Sequence, residues 1–238
     1  MISICMASYN GSRYVKEQLK SILLQIESDD EIIVVDDAST DNTISIIESI
    51  NDNRLKLYVN PKNIGVIGSF ERSILLARGD VIFLSDQDDI WLPGKVSKIM
   101  NVFSKNIDVT LCLSDALIID GKSTILEGTY FNRRGGFKRG VISNIAKNKF
   151  LGCSIAFKAS LVNHILPFPR NIPAHDMWVG IINEIYGKSE YINEPLFHYR
   201  RHDKNVSSMK HESILKMLKW RIILIYQLLK RVISIYFN

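Results

Sequence analysis

Three carboxylates fall within four residues at Asp86-Gln87-Asp88-Asp89, directly behind the apolar run Val81–Leu84. Held together they repel one another, and at a strand end they are costly unless a cation sits among them. Oxygen ligands with open positions suit Mg²⁺ or Mn²⁺, usually shared with substrate phosphates. An acidic turn ahead of the helix that starts at Pro93 is the plainer alternative. A second acidic pair, Asp36-Asp37, follows the β-branched run Glu31–Val35. Ser39, Thr40 or Asp41 is available to cap the next helix, which leaves the pair before the cap unexplained. A carboxylate there can accept hydrogen bonds from nucleobase N–H groups or from a ribose hydroxyl. A third polar cluster, Ala7-Ser8-Tyr9-Asn10, follows the apolar run Ile2–Met6.

The elements that carry these clusters alternate. Ile2–Met6, Glu31–Val35, Leu55–Val59 and Val81–Leu84 read as strands; Tyr14–Gln25, Asp41–Ile50, Ile67–Ala77 and Pro93–Phe103 read as helices. Val15, Leu19, Ile22 and Leu23 give the first helix its spacing, and Pro93 opens the fourth. Such alternation predicts an α/β fold on a mainly parallel sheet. Ligands of such sheets bind beyond the carboxyl ends of the strands. All three polar clusters fall at those ends, so they converge although they are far apart in sequence. The second half is less regular. Val109–Leu113, Ala116–Ile119, Ser189–Ile192 and Leu196–Tyr199 read as strands, and Asn132–Gly140 as a glycine- and arginine-rich loop. A helix runs from near Asp176 through Ile185, and a long one covers Lys216–Phe237.

With 238 residues, 46% hydrophobic and 23% charged, the chain can bury a sizeable core without disulfides or metal, and it is not a disordered composition. Three isolated cysteines, Cys5, Cys112 and Cys153, argue against a disulfide framework or zinc ribbon and suit a reducing cytosol. The N-terminus has no basic region of the signal-peptide kind, and the apolar stretch Ile222–Leu229 is too short to span a bilayer. The net charge of +5 belongs to the tail: from Lys210 onward there are six basic residues and one acid, Glu212, so residues 1–209 are neutral overall. On a helical wheel Lys216, Lys219, Gln227, Lys230, Arg231 and Ser234 share about a third of the circumference. Leu215, Leu218, Ile222, Leu229, Val232 and Ile233 fill the other side, with Arg221 as the exception. A basic amphipathic helix of this kind suits an anionic membrane surface better than nucleic acid. Packing on the domain or on a second subunit is the alternative.

Taken in order, Ser3–Gly11 (SICMASYNG), Val34–Thr43 (VVDDASTDNT), Asn63-Ile64-Gly65, Ala77-Arg78-Gly79-Asp80 and Leu84–Trp91 (LSDQDDIW) resemble the family 2 glycosyltransferases, an inverting family with the GT-A fold. The match covers nearly all of residues 1–105 and is traceable through 208. The SDQDDIW variant is similar to rhamnosyltransferase-like enzymes of O-antigen and capsule synthesis. The resemblance implies a Rossmann-like sheet flanked by helices in a domain over 1–209. Its nucleotide-sugar half would be 1–105 and its acceptor half 106–209, followed by the helical tail 210–238. It implies Ala7, Tyr9 and Asp37 at the nucleotide, and Asp86 at the ribose or a metal-bound water. Asp88 is the implied direct metal ligand, with Asp86 and His202 as further metal candidates, and Asp89 positions the loop or touches the donor sugar. Asp176, in Ala174-His175-Asp176-Met177-Trp178, is the implied general base, with His175 as runner-up and helix capping as the alternative. Trp178 would line the acceptor pocket. In Tyr199-Arg200-Arg201-His202, Arg200 would neutralise phosphate. Arg133, Arg134, Lys138 and Arg139 around Gly135-Gly136 would close over the donor or meet a lipid diphosphate. The Gln-x-x-Arg-Trp motif of processive synthases is absent, which implies addition of a single sugar.

The implied reaction moves one sugar from a nucleotide-sugar donor, dTDP-rhamnose or a UDP-hexose, to a lipid-linked or saccharide acceptor with inversion, using Mn²⁺ or Mg²⁺. It would serve cell-surface polysaccharide synthesis, with the protein cytoplasmic, peripheral on the inner membrane face, as monomer or homodimer. The chemistry agrees: a cation stabilises a departing diphosphate, and an acceptor hydroxyl needs a base. A nucleotidyltransferase would carry a glycine-rich, Lys/Arg-bearing phosphate loop where this chain has Ala7-Ser8-Tyr9-Asn10-Gly11. A non-catalytic nucleotide- or carbohydrate-binding protein would not need the full set of Asp37, Asp86, Asp88 and Asp176.

Overall fold

Strands covered on both faces need apolar residues at nearly every position. In the computed structural model β1 (Ile2–Ser8), β2 (Glu31–Asp36) and β4 (Val81–Asp86) meet that demand and are buried along almost their whole length. The structure describes residues 1–203, 205 and 213–237; Lys210 and Glu212 of the basic tail lie outside the described residues, as do the side chains of residues 127 and 214. With β3 (Leu55–Val59), these strands pair in parallel in the order β3-β2-β1-β4. Helices α1 (Val15–Leu23), α2 (Thr43–Glu48) and α3 (Gly65–Leu76) make the crossovers. The buried residues of α1 are Val15, Gln18, Leu19 and Ile22, one stripe at helical spacing. The chain steps outward from β1 to β3 and then returns to β4 on the other side of β1. Its topological switch therefore lies between β1 and β4, at the ends that carry Ser8 and Asp86.

Beyond β4 the sheet is mixed. Strand β8 (Ile155–Lys158) lies antiparallel between β4 and β6 (Leu111–Asp120), and β6 pairs in parallel with β9 (Ser189–Arg201). The two-residue β5 (Ile90–Trp91) folds back antiparallel onto His198 and Phe197 of β9, and β7 (Ile125–Thr129) pairs with β6. Helices α4 (Lys95–Lys105), α5 (Tyr130–Arg133), α6 (Val141–Ala146), α7 (Val162–Ile165), α8 (His175–Tyr186) and α9 (Ile214–Tyr236) complete the fold. One sheet thus crosses the expected division at residue 105, and the chain's three cysteines are buried and unpaired. No described helix is long and apolar enough to cross a membrane.

Several boundaries differ from the sequence reading. The pair Val109–Leu113 and Ala116–Ile119 is one strand, β6, and the pair Ser189–Ile192 and Leu196–Tyr199 is one strand, β9. Their alternation breaks because the register slips: Ser114 faces Ile192 but Asp115 faces Pro195, leaving Asn193 and Glu194 as an exposed bulge. Pro195, which has no N–H, sits at that irregularity. Asn42 holds the cap position of α2 without a side-chain bond, while Asp41 Oδ1 accepts from Thr43 N at 2.9 Å and so takes up the first helical N–H; the Ser39 hydroxyl is engaged by Asp36. The glycine- and arginine-rich run begins inside α5 rather than in a loop.

At the edge opposite the site, Glu31 ties the parallel strands together. Its buried carboxylate accepts from Ser3 Oγ at 2.7 Å, Lys56 Nζ at 2.6 Å and Arg78 N at 2.9 Å. Gly79 N also donates to Ser3 Oγ, and a Cβ on Gly79 would lie 2.5 Å from Ser3 N, so the chain passes here only as glycine. Burial pushes the Glu31 carboxyl up, but the bonds from Lys56, Ser3 and Arg78 together outweigh it and bring the value down from 4.5 to about 2. A depressed carboxyl contributes stability above its unfolded value and loses it as pH falls through the folded one. We therefore expect Glu31→Gln to lower the melting temperature at pH 7, and the deficit to shrink as the pH of the scan drops from 4.5 toward 2. A deficit independent of pH over that window would mean the carboxylate charge contributes nothing.

Candidate active site

The loops after β1 and β2 are laced together. Ser8 Oγ donates to Asp36 Oδ2 at 2.7 Å, and Ser39 donates to Asp36 through N at 2.8 Å and Oγ at 2.6 Å. Thr40 N donates to Asn10 Oδ1 at 2.8 Å, and Asn10 N to Ser39 Oγ at 2.9 Å. Asn10 and Ala38 are held at φ 48° and 63°, left-handed conformations that cost a non-glycine residue on the order of 1–2 kcal/mol and persist where surroundings enforce them. Asp36 is thus an internal brace. Asp37 is also buried and accepts from Asn60 Nδ2, Ile64 N and Gly65 N, each at 2.8 Å. It holds the start of α3 beside the switch. Tyr9 is 45% exposed, and its backbone is clasped by Gln87, whose amide accepts from Tyr9 N and donates to Tyr9 O at 3.0 Å each. Half-buried Ala7 lies opposite Asp86 in the β1–β4 register.

The acid loop joins β4 to β5, so the β5–β9 pairing pins it against the end of β9. Asp88 Oδ2 lies 2.8 Å from His202 Nε2 and accepts from Asn205 Nδ2 at 3.0 Å. Asp86, Asp89 and Cys153 bring possible ligand atoms within 4.8 Å of one another. Burial, then the charge of Asp88, pushes Asp86 up to about 7. The same causes, with Asp86 added, raise Asp89 well above the carboxylate range. One oxygen of Asp89 accepts from Arg200 N at 3.1 Å; the other, Oδ2, is buried with no nitrogen or oxygen partner among the described residues, and the Cys153 thiol bonds to the carboxylate. The mutual repulsion of Asp86 and Asp88 is what a divalent cation beside them would relieve.

Two cationic side chains and an imidazole hold this loop from behind or from the side. Arg200 is 1% exposed, and its guanidinium donates to Asp88 O at 2.7 Å, Ser123 Oγ at 2.8 Å and Glu17 Oε2 at 2.8 Å. The expectation that Arg200 meets phosphate does not fit this placement, since its donors are spent inside the protein. His202 stands beside Asp88, its ring 5.0 Å from that of Tyr14. Lys95 is buried on α4 with Nζ 4.2 Å from the ring centres of both Trp91 and Phe197, and donates to Cys153 O at 2.9 Å. Burial lowers Lys95 to about 8, opposed by the charges of Cys153, Asp89 and Asp86. Lys95 escaped the sequence reading, although it shares the buried stripe Lys95, Val96, Ile99 and Phe103. A lysine on an apolar stripe was the signal.

Asp176 opens α8. Met177 N donates to its Oδ1 at 2.6 Å, and Gly152 N and the Asn148 side chain also bond to it. Burial nevertheless pushes it up to about 6, and its charge reaches Asp86. Burial lowers His175 to about 4; its ring stacks on Phe70 at 4.2 Å, and its Nε2 has no hydrogen-bond partner. Near neutral pH Asp176 is the better-matched base of the two. Trp178 does not line an acceptor pocket: it is 0% exposed, with Nε1 donating to Ile165 O at 2.9 Å. Residues two apart on a helix point to different sides, so Asp176 and Trp178 cannot share one face. Cations collect on the same side: Arg134 moderates Asp176, and buried Lys149 is lowered by burial and by repulsion from Lys147, Arg134 and Lys138.

Residues 3–165 match the sequence profile of "Glycosyl transferase family 2". The chain belongs to glycosyl transferase family 2. Two curated relatives are the dTDP-rhamnosyl transferase RfbG of Shigella flexneri and WfgD of Escherichia coli. RfbG is 30% identical over 216 residues, covering 84% of this chain and 72% of its own. WfgD is a UDP-Glc:α-D-GlcNAc-diphosphoundecaprenol β-1,3-glucosyltransferase, 26% identical over 189 residues, covering 77% and 70%. A Nostoc relative, an uncharacterized glycosyltransferase 34% identical over 129 residues, is spanned over only 39% of its length and 53% of this chain. Among solved structures, S. aureus TarS with UDP-GlcNAc superposes with a TM-score of 0.74 at 17% identity, covering 94% of this chain and 66% of that one. A Pyrobaculum calidifontis mannosyltransferase with GDP-Man and Mn²⁺ gives 0.65 at 19%, covering 85% and 57%. The fold of this family 2 chain is GT-A.

If Arg200 is an internal tie of this family 2 site, replacing it with a shape-matched apolar residue must cost stability. Arg200→Met is expected to lower the unfolding free energy by about 2–4 kcal/mol, from lost bonds to charged and backbone partners. Urea denaturation reads this directly. An unchanged midpoint would return Arg200 to the pool of phosphate ligands.

Proposed function

We propose that the chain is an inverting glycosyltransferase that moves one sugar from a nucleotide-sugar donor, dTDP-rhamnose or a UDP-hexose, to a lipid-linked saccharide of cell-surface polysaccharide. It works as a peripheral protein on the cytoplasmic membrane face. The observation that carries this reading is the meeting of Asp176, raised to about 6, with the acids at the end of β4. A base and a cation-seeking cluster lie at one end of the sheet. The named activities of RfbG and WfgD support the donor classes, and the diphosphate lipid acceptor of WfgD supports the acceptor class.

Tyr9 and Ala7 receive the nucleotide at the switch between β1 and β4; Asp37, buried with its carboxylate engaged by Asn60, Ile64 and Gly65, shapes that pocket from beneath. Asp88 and His202 would hold the divalent cation, with Asp86 beside them; Mn²⁺ or Mg²⁺, when bound, would supply positive charge for the departing diphosphate. Asp89 and Cys153 are both wholly buried, so they brace the loop from beneath rather than face the donor. Asp176 takes the proton of the acceptor hydroxyl as its oxygen attacks the anomeric carbon. Attack on the face opposite the diphosphate inverts that carbon in one displacement. Arg134, Lys147 and Lys149 place positive charge on the acceptor side, where a lipid diphosphate would be received.

Two substitutions test these roles. Asp88→Asn, which keeps the side chain's shape, should abolish Mn²⁺-dependent transfer while thermal melting stays near that of the wild type; full turnover in Mn²⁺ would remove Asp88 from the cation site. Asp176→Asn should retain nucleotide binding but lose transfer by about 100–10,000-fold, the usual reach of a general base. In the wild type, kcat/KM should fall as pH drops below about 6, where Asp176 takes a proton and can accept no other. The variant's residual rate should lack that limb. Were His175→Ala to show the loss instead, the base would be His175.

A further inference from the structure

Helix α9 presents three different faces. The first is docked: Leu224 and Leu228 are buried, and both arginines are spent on the domain. Arg221 donates to Ile145 O at 3.2 Å and Ala146 O at 2.5 Å, at the carboxyl end of α6. Arg231 donates to His164 O at 3.0 Å and Leu166 O at 2.6 Å, at the carboxyl end of α7. Arg231 therefore leaves the basic stripe in which the wheel placed it. The second face is apolar and exposed: Leu215, Leu218, Ile222, Ile225, Leu229 and Ile233 recur every three or four residues at 43–81% exposure. Tyr236 and Phe237 continue it at 82% and 85%. The third face runs alongside and carries exposed Lys219 and Lys230, with Lys216, whose ammonium lies over the Trp220 ring at 4.8 Å.

A repeat of three and four is also the seam of a coiled coil, so a second copy of the chain is the competing occupant. Charge decides against it. Paired seams are flanked by acids and bases that match across the interface. Residues 213–237 contain no Asp or Glu, so two copies would set lysine beside lysine. The missing negative charge must come from the partner. An apolar stripe bordered by lysines, whose long stems let the ammonium rise to a polar layer, fits an anionic lipid surface. The helix is 23 residues long, roughly 34 Å, and lies flat on the domain instead of projecting from it.

We propose that the outward face of α9 is a membrane-docking surface: its apolar stripe lies at the acyl boundary of an anionic phospholipid bilayer, and Lys219 and Lys230 meet lipid phosphates. This deepens the proposed membrane-face transfer, but the surface stands on α9 alone. The test is sedimentation of the full chain with vesicles of phosphatidylcholine alone or with one-third phosphatidylglycerol, at low and high salt. The wild type should pellet with the anionic vesicles, less so at high salt. Lys219→Glu with Lys230→Glu should weaken that partitioning by about 30-fold or more, from roughly fivefold per lysine. Ile222→Ser with Leu229→Ser should weaken the part that survives high salt. Circular dichroism and transfer to a short soluble acceptor should match the wild type in the lysine variant, since neither lysine lies near the site. Absence of vesicle binding by the wild type, or equal binding by the charge-reversed variant, overturns the proposal. So does light scattering that finds a dimer broken by Ile222→Ser and no lipid binding. Vesicle binding without any transfer would sink the proposed enzymatic reading and leave this one standing.

Discussion

Four carboxylates, Asp86, Asp88, Asp89 and Asp176, crowd the carboxyl edge of the sheet, and their repulsion explains much of what surrounds them. At an effective dielectric near 20, two like charges about 4 Å apart oppose each other by about 4 kcal/mol. The protein answers with groups from separate elements. Lys95 comes from α4 beneath the loop, and Arg200 from the end of β9 behind it; His202 and Asn205 from the segment beyond meet Asp88. The two-residue strand β5 makes this possible by fastening the loop to β9. None of these partners neutralises the cluster completely. Asp86 and Asp89 remain raised, so the crowding of like charge is only partly relieved by the protein itself.

On the proposed reading, the donor and acceptor sides are made from different material. The donor side sits on strand ends, where Ser8, Asp36 and Ser39 hold the strained Asn10 and Ala38 in place. Such a frame would keep the proposed nucleotide site formed before ligand arrives. The acceptor side is assembled from the start of α8, the Gly152 turn, Asn148 and the end of α5. Loops positioned by a rigid scaffold are where specificity can vary without disturbing the core.

The first half of the fold was legible because its strands are buried on both faces and its helices keep one apolar stripe, both local signals. The convergence of Tyr9, Asp37 and Asp86 then follows from topology. What stayed illegible depends on contacts remote in sequence. Asp88 and His202 are 114 residues apart, and Arg200 reads as a phosphate ligand until β9 carries it under Tyr14 and the acid loop. Trp178 reads as a neighbour of Asp176, yet the helical turn sends it to Ile165 in the core. Strands such as β5 and β8, of two and four residues, are too short to show a period.

The tail helix joins these two levels. Its arginines do not sit at random carbonyls: Arg221 and Arg231 reach the carboxyl ends of α6 and α7, where exposed C=O groups and the helix dipole favour a cation. The segment leaving α6 carries Asn148, which bonds Asp176, and Lys149, whose ammonium donates to Arg134 O. A continuous line of contacts therefore runs from α9 through α6 to the acid that opens α8. Arginine, with its fixed fork of donors, is used where α9 must grip protein; lysine, with a single mobile charge, is left where it faces outward. On one helix the choice of basic residue thus separates the side that belongs to the fold from the side that does not.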